Sequence, residues 1–172
     1  MGGAITIRVA RRSELREIQQ IENVADLVFR RVGMPWVLGM QPAGLALLER
    51  ERRRGWLLVA ADGANRALGF ALLTTLAGEA YLYQLSVLPR AAGRGAGSAL
   101  LEAACVAARA ADYPTVLLST YAGVPWNAPF YQKRGFRIVP LASYTPTMRD
   151  NRHTELRLGH PIWRRMLMRR AL

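Results

Sequence analysis

The chain has 172 residues, 51% of them hydrophobic, with 24 arginines and lysines against 12 acidic residues and a formal net charge of +12. One cysteine excludes an internal disulfide framework and a four-cysteine zinc site, and two histidines argue against a histidine-rich metal centre. The length suits one substantial core and predicts a single domain over residues 1–172.

No segment reaches the run of roughly 18 apolar residues that spans a bilayer. The N-terminus also lacks the long apolar core of a secretory signal, so a cytoplasmic protein without a membrane partner is expected. Met1-Gly2 with Thr6 fits the myristoylation pattern formally, but Ile5–Val9 is better used as a first strand. The charge is heaviest from Lys133 onward, where ten basic residues face Asp150 and Glu155. Such a field attracts a phosphorylated ligand, an acidic substrate or RNA, and it equally suits solvated arginine faces. No aromatic-interleaved RNA-binding signature accompanies it, so nucleic acid is disfavoured as a partner although the charge does not exclude it. A homodimer is left open.

Ile5–Val9 alternates apolar and polar residues as an edge strand does. Ser13 is the expected N-cap of a helix over 14–31, with Glu14 and Glu17 in its first turn. Leu15, Ile18, Ile21, Ala25 and Val28 predict its core face, and Glu22 and Asp26, four residues apart, share a neighbouring face. Gly33-Met34-Pro35 ends that helix. A second helix is predicted from near Pro42 to the arginines before Gly55. The period then changes to that of strands at Trp56–Ala61, Ala67–Leu76 and Ala80–Leu88, which form a meander through turns at Asp62-Gly63 with Asn65 and at Ala77-Gly78.

A small-residue helix is expected over 98–111, with Leu100, Leu101, Ala104 and Ala108 as a narrow apolar stripe and Cys105 as a small buried hydrophobe. Thr115–Thr120 reads as a buried strand, and strand, helix and strand make a right-handed parallel crossover. A short helix follows Pro125–Asn127, and Phe136–Val139 is a strand. Residues 141–160 have too weak a period to assign, and Trp163–Met168 is a final strand.

Between the strand ending at Val87 and the helix after it lies Gly93-Arg94-Gly95-Ala96-Gly97. Glycines here expose backbone N–H groups at the positive end of the helix, where no side chain blocks a diphosphate. A turn that merely joins a strand to a helix also uses glycine. The signal becomes specific with Asn127-Ala128-Pro129-Phe130-Tyr131-Gln132-Lys133-Arg134-Gly135-Phe136 one strand further on.

Together the two stretches resemble the GNAT superfamily of acyl-CoA-dependent N-acetyltransferases, most specifically over 81–139. The resemblance implies a mixed α/β fold: a mostly antiparallel sheet of six to seven strands, splayed at one parallel pair and flanked by about four helices. It implies acetyl-CoA as acyl donor, and with one cysteine and two histidines no metal is expected. Arg94, Gly95, Ala96, Gly97 and Ser98 would grip the pyrophosphate, and the backbone of Leu85 and Val87 would hold the pantetheine arm. Phe130 and Tyr131 would lie at the cofactor, with the Tyr131 phenol beside the thioester sulfur. Asn127 caps the short helix, bonds the pantetheine arm, or does both. Ala92 stands where the usual Q-x-x-G-x-G pattern has glutamine or arginine, and Arg90 and Arg94 could compensate electrostatically.

Acetyl transfer to an amine requires an anchored donor, a neutral amine and a proton or hydrogen bond for the departing thiolate. Tyr131 is the candidate for the last requirement. A lysine-like amine with a pKa near ~10.4 costs on the order of 4–5 kcal/mol to deprotonate at neutral pH, so a base is useful. Tyr81–Ser86 lacks the carboxylate that many relatives place there. Glu22, Asp26 and Glu79 are the substitutes, with Gln84 and Ser86 able to hold a water chain. The acceptor is expected to be a primary amine on a small molecule, protein or peptide; its identity and the acyl chain length are not readable. A dinucleotide fold is disfavoured because Ser98-Ala99-Leu100 follows Gly97, and a P-loop lacks its Gly-Lys-Ser/Thr. The competing reading is a noncatalytic basic module with the same fold that binds RNA or an acidic partner.

Overall fold

Leu57-Leu58-Val59-Ala60-Ala61 is apolar at every position and forms a strand (β2) buried along its whole length. The computed structural model describes residues 4–172; the Met1-Gly2 part of the myristoylation pattern lies outside the described residues. Among the described residues seven strands follow the order β1-β2-β3-β4-β5-β7-β6. They are β1 Thr6–Val9, β2 Leu57–Ala61, β3 Ala67–Leu76, β4 Glu79–Val87, β5 Thr115–Tyr121, β6 Arg137–Ile138 and β7 Arg165–Ala171. The α-helices are α1 Leu15–Asp26, α2 Leu45–Arg53, α3 Ala96–Ala110, α4 Ala128–Gln132 and α5 Pro146–Arg157. The sheet is mostly antiparallel with one parallel pair, β4 with β5, as expected. No helix among the described residues is long and apolar enough to cross a membrane.

The chain divides into two compact units, one reaching Thr74 and adding Tyr83–Ala107, the other comprising Thr75–Leu82 and Ala108–Leu172. In the first unit β1 pairs antiparallel with β2, and β2 with β3. Ile18 and Leu48, from α1 and α2, join Leu57, Val59, Phe70 and Leu72 in one cluster with essentially no exposed surface. Full burial of each such large side chain contributes roughly 1.5–3 kcal/mol. Gly69 lets the chain pass close: a β-carbon there would stand 2.6 Å from the Ser86 carbonyl oxygen and 3.0 Å from the Val87 Cα. The absent side chain therefore sets the course of β4 through Ser86 and Val87.

In the second unit the parallel register is Ala80↔Val116, Tyr81↔Leu117 and Leu82↔Leu118. β5 then pairs antiparallel with β7 from Thr115↔Ala171 to Tyr121↔Arg165, and β6 pairs with β7 at Arg137↔Arg169 and Ile138↔Met168. Tyr81, Leu117, Val139, Tyr144, Met148 and Leu167 form its core.

Several local expectations are corrected. Ser13 does not cap α1. The chain enters through a 3-10 turn at Arg12–Glu14, and the Glu14 carboxylate accepts the Arg11 N–H at 2.7 Å while pairing with Arg8 at 2.6 Å. The α-helical bonding stops at Asp26 rather than near Arg31, tightens to 3-10 over Leu27–Val32 and ends at Gly33 with φ 68°. Val28, Phe29 and Val32 are β-branched or aromatic and favour the helix less. α2 starts at Leu45, not Pro42, because Gly44 is extended and its carbonyl takes the first helical bond, from Leu48 at 3.0 Å. α3 starts at Ala96, which places Gly97 inside its first turn. The unassigned stretch contains α5, whose N-cap Thr145 accepts the Met148 N–H at 3.3 Å ahead of Pro146.

Candidate active site

Gly93 and Gly95 have φ of 73° and 86°, left-handed values that cost any L residue with a β-carbon strain. Nothing lies within 4 Å of a β-carbon at either, so their requirement is conformational. Ala99 donates to Gly95 O at 3.0 Å, the first helical bond of α3. The N–H groups of Ala96 and Gly97 precede that bond, at the end of a 15-residue helix that carries roughly half a positive charge. Ala92, Gly93, Arg94 and Gly95 are exposed, so this donor set can meet a diphosphate. Leu85 and Val87, two residues apart on β4, are both half-buried.

The first unit also holds a pair of carboxyls. Glu22 lies in the same buried stripe of α1 as Leu15, Ile18 and Ile21 and is 8% exposed. Its Oε2 accepts the Ala43 N–H at 3.2 Å, and Gln19 Nε2 donates to Ala43 O at 2.9 Å, so α1 grips the segment before α2 from both sides. Burial, and secondarily the charge of Asp26, pushes the Glu22 carboxyl up to about 7 against the pull of the Ala43 N–H. Burial likewise raises Asp26 to about 7. Burial, then the charge of Glu22, raises the phenol of Tyr83 on β4. Gln84 Nε2 donates to Ser86 Oγ at 2.9 Å, so these two are bonded to each other.

In the second unit Asn127 precedes α4 with φ −101° and ψ −98°, and its side chain makes no capping bond. Its main-chain carbonyl instead accepts the Tyr131 N–H at 3.1 Å. Tyr131 lies edge-on between Phe130, at 5.1 Å, and Phe136, at 5.7 Å. Burial pushes its phenol up to about 12, with Arg165 pulling weakly the other way. Arg134 covers Phe130 at 3.8 Å and donates to the Phe130 carbonyl at 2.8 Å.

Glu79 opens β4 and is held on both oxygens. Arg169 donates to them at 2.6 and 2.7 Å, and the Thr115 hydroxyl donates at 2.7 Å. A carboxylate so engaged is a clamp across β4, β5 and β7.

Sequence reasoning missed a polar group built by α5. Arg165 donates to Glu155 Oε1 at 2.8 Å and to Ser119 O at 3.3 Å, and stacks on Tyr121 at 4.6 Å. The Tyr121 hydroxyl bonds His160 Nδ1 at 2.6 Å, and burial, then Arg165, lowers the imidazole to about 4. Thr145-Pro146 is the signal that could have revealed the helix.

A mostly antiparallel sheet with one parallel pair, β4 with β5, and a left-handed glycine turn leading into α3 make up an acyltransferase-like fold. Solved structures share this fold. The N-acetylglutamate synthase from Neisseria gonorrhoeae, complexed with coenzyme A and N-acetyl-glutamate, is 18% identical with a TM-score of 0.71, covering 100% of this chain and 36% of that one. The PaiA N-acetyltransferase from Thermoplasma acidophilum, in complex with coenzyme A, is 16% identical with a TM-score of 0.68, covering 98% and 99%. The ribosomal-protein-S18-alanine N-acetyltransferase from Escherichia coli is 17% identical with a TM-score of 0.66, covering 98% and 94%. At such identities the likeness concerns the fold.

Residues 46–138 match the family model described as Acetyltransferase (GNAT) domain, and the chain belongs to the GNAT acetyltransferase family. It is thus an acyltransferase whose donor is acetyl-CoA. The match takes in the glycine turn and Tyr131; Glu22, Asp26, α5 and β7 lie outside it.

Proposed function

We propose that residues 1–172 act as a single cytoplasmic N-acetyltransferase domain that moves an acetyl group from acetyl-CoA to a primary amine by direct attack in a ternary complex. Acetyl-CoA supplies an activated thioester. The glycine turn and the first N–H groups of α3 bind its diphosphate, and the backbone of Leu85 and Val87 holds the arm. Cys105 on α3 is 4% exposed, which speaks against a covalent acyl carrier.

The observation that carries the reading is the left-handed turn at Gly93 and Gly95, which leads into α3 and leaves its first N–H groups open to a diphosphate; Glu22, buried on α1 with its carboxyl pushed up to about 7 by burial, is the candidate base. A general base works best with a pKa near the operating pH, where it is ionised yet still basic. Glu22 takes the ammonium proton, and Asp26, four residues on, raises its basicity. Glu79, occupied by Arg169 and Thr115, is the weaker candidate.

Tyr131 acts as a hydrogen-bond donor to the departing thiolate. Full transfer from a phenol at about 12 to a thiolate near ~8.5 is uphill by on the order of 5 kcal/mol, so the phenol keeps its proton and stabilises the anion as the C–N bond forms and the C–S bond breaks. The second proton, shed by the acylated nitrogen, goes to the thiolate, which leaves as free thiol. The acceptor is a small-molecule, protein or peptide amine. A thiol-release screen of the purified protein with acetyl-CoA against an amine library, run beside Tyr131→Phe, tests the reading. An acceptor that turns over with wild type and at least ten-fold more slowly with the variant supports it; no thiol release with any amine refutes it.

A further inference from the structure

In the second unit, α5 and the turn after it present basic and apolar side chains together. Arg149, His153 and Arg157 recur every four residues along one side of α5, and all three are exposed. At its C-terminal end Leu156 and Leu158 are 47% and 58% exposed, and Trp163 is 78% exposed. An indole is among the most valuable side chains to bury, so one left in water marks a contact surface when cations and further apolar groups flank it.

The turn that carries Trp163 is held in place. Gly159, with φ 95°, stops α5 as its N–H bonds Leu156 O at 3.0 Å and the His160 N–H bonds Glu155 O at 2.9 Å. Arg152 reaches from α5 to the Ile162 carbonyl at 2.9 Å and the Arg165 carbonyl at 3.2 Å, fixing the main chain on both sides of the indole. A partner meeting this turn has little loop entropy to remove.

We propose that the Arg149–His153–Arg157 stripe and the Leu156, Leu158 and Trp163 cluster form a docking surface for an acidic, partly apolar segment of a partner protein. The charge decides the occupant: this unit carries eleven basic residues against four acidic ones. A second copy docked by two-fold symmetry would set the arginine stripe against itself. RNA would want further rings to stack its bases, whereas the other large apolar side chains exposed at this end of α5 are leucines. The surface lies outside the span matched to the family and is independent of the acetyl-transfer reading.

The test is fluorescence anisotropy of the full chain with a labelled peptide of repeating Glu-Glu-Leu-Phe, beside its glutamine-for-glutamate version, a uridine oligonucleotide of equal length, and phosphatidylserine-containing vesicles by co-sedimentation. Saturable, salt-sensitive binding of the acidic peptide is expected, weakened at least ten-fold by Trp163→Ala and by Arg149→Glu with Arg157→Glu. These side chains are exposed, so unchanged melting curves will show that the variants fold. Absent peptide binding, binding indifferent to the variants or to the glutamine exchange, or tighter binding to the RNA or the vesicles would each overturn the proposal.

Discussion

Glu22→Gln should make the protein more stable and less active, and pH separates the two effects. A carboxyl that titrates at about 7 instead of its ordinary 4.5 costs roughly 3 kcal/mol to ionise inside the folded protein. The sign follows from the raised value: the folded state holds the proton more tightly than the unfolded chain, so stability is full below the ordinary carboxyl range and is lost as pH rises through about 7. Glutamine has nearly the same volume and keeps an oxygen for the Ala43 N–H, so it removes the charge and little else. Denaturant titrations should therefore find wild type and variant within about 0.5 kcal/mol near pH ~4, and the variant ahead by about 3 kcal/mol near pH ~8. Wild-type kcat/KM should rise with pH through the same range, and the variant should lose on the order of a hundred-fold at neutral pH together with that limb. Equal stability differences at both pH values would refute the buried ionisable carboxyl. An unchanged pH limb would remove Glu22 as the base.

Gly95→Ala forces a β-carbon into φ 86° and should cost about 1–2 kcal/mol while weakening acetyl-CoA binding, measured by melting and calorimetry. Gly69→Ala would put a β-carbon 2.6 Å from Ser86 O, so the first unit should lose at least about 2 kcal/mol, with hydrogen exchange at Ser86–Val87 rising. Tyr131→Phe should lower kcat more than it raises KM, without shifting the pH limb assigned to Glu22; a shifted limb would contradict the division of roles. Thr145→Ala removes the cap of α5 and should cost about 1 kcal/mol in a denaturant titration.

Much of this protein was legible in one dimension. The meander β2-β3-β4, the crossover through α3 and the glycine turn follow from period, turn residues and backbone sterics, all properties of neighbouring residues. Ala67–Leu76 forms a strand with the bounds read from its pattern. The ends of α1 and α2 were less legible because they depend on which carbonyl finds which N–H, as at Gly44 and Leu48. The start of α5 was written in Thr145-Pro146, but its inner face is partly polar. Glu155 is buried there against Arg165, ten residues further on, and no apolar period reports such a pairing.

Charge state was decided by tertiary structure alone. In the sequence Glu22 and Glu79 are two carboxylates of equal standing. Folding buries Glu22 on α1 with one main-chain N–H, so its charge is costly and its proton is retained near neutral pH. It brings Arg169, ninety residues distant, and Thr115 onto Glu79, which occupies both oxygens. A pKa depends on desolvation and on charges a few ångströms away, and these are set by segments that the linear order keeps apart.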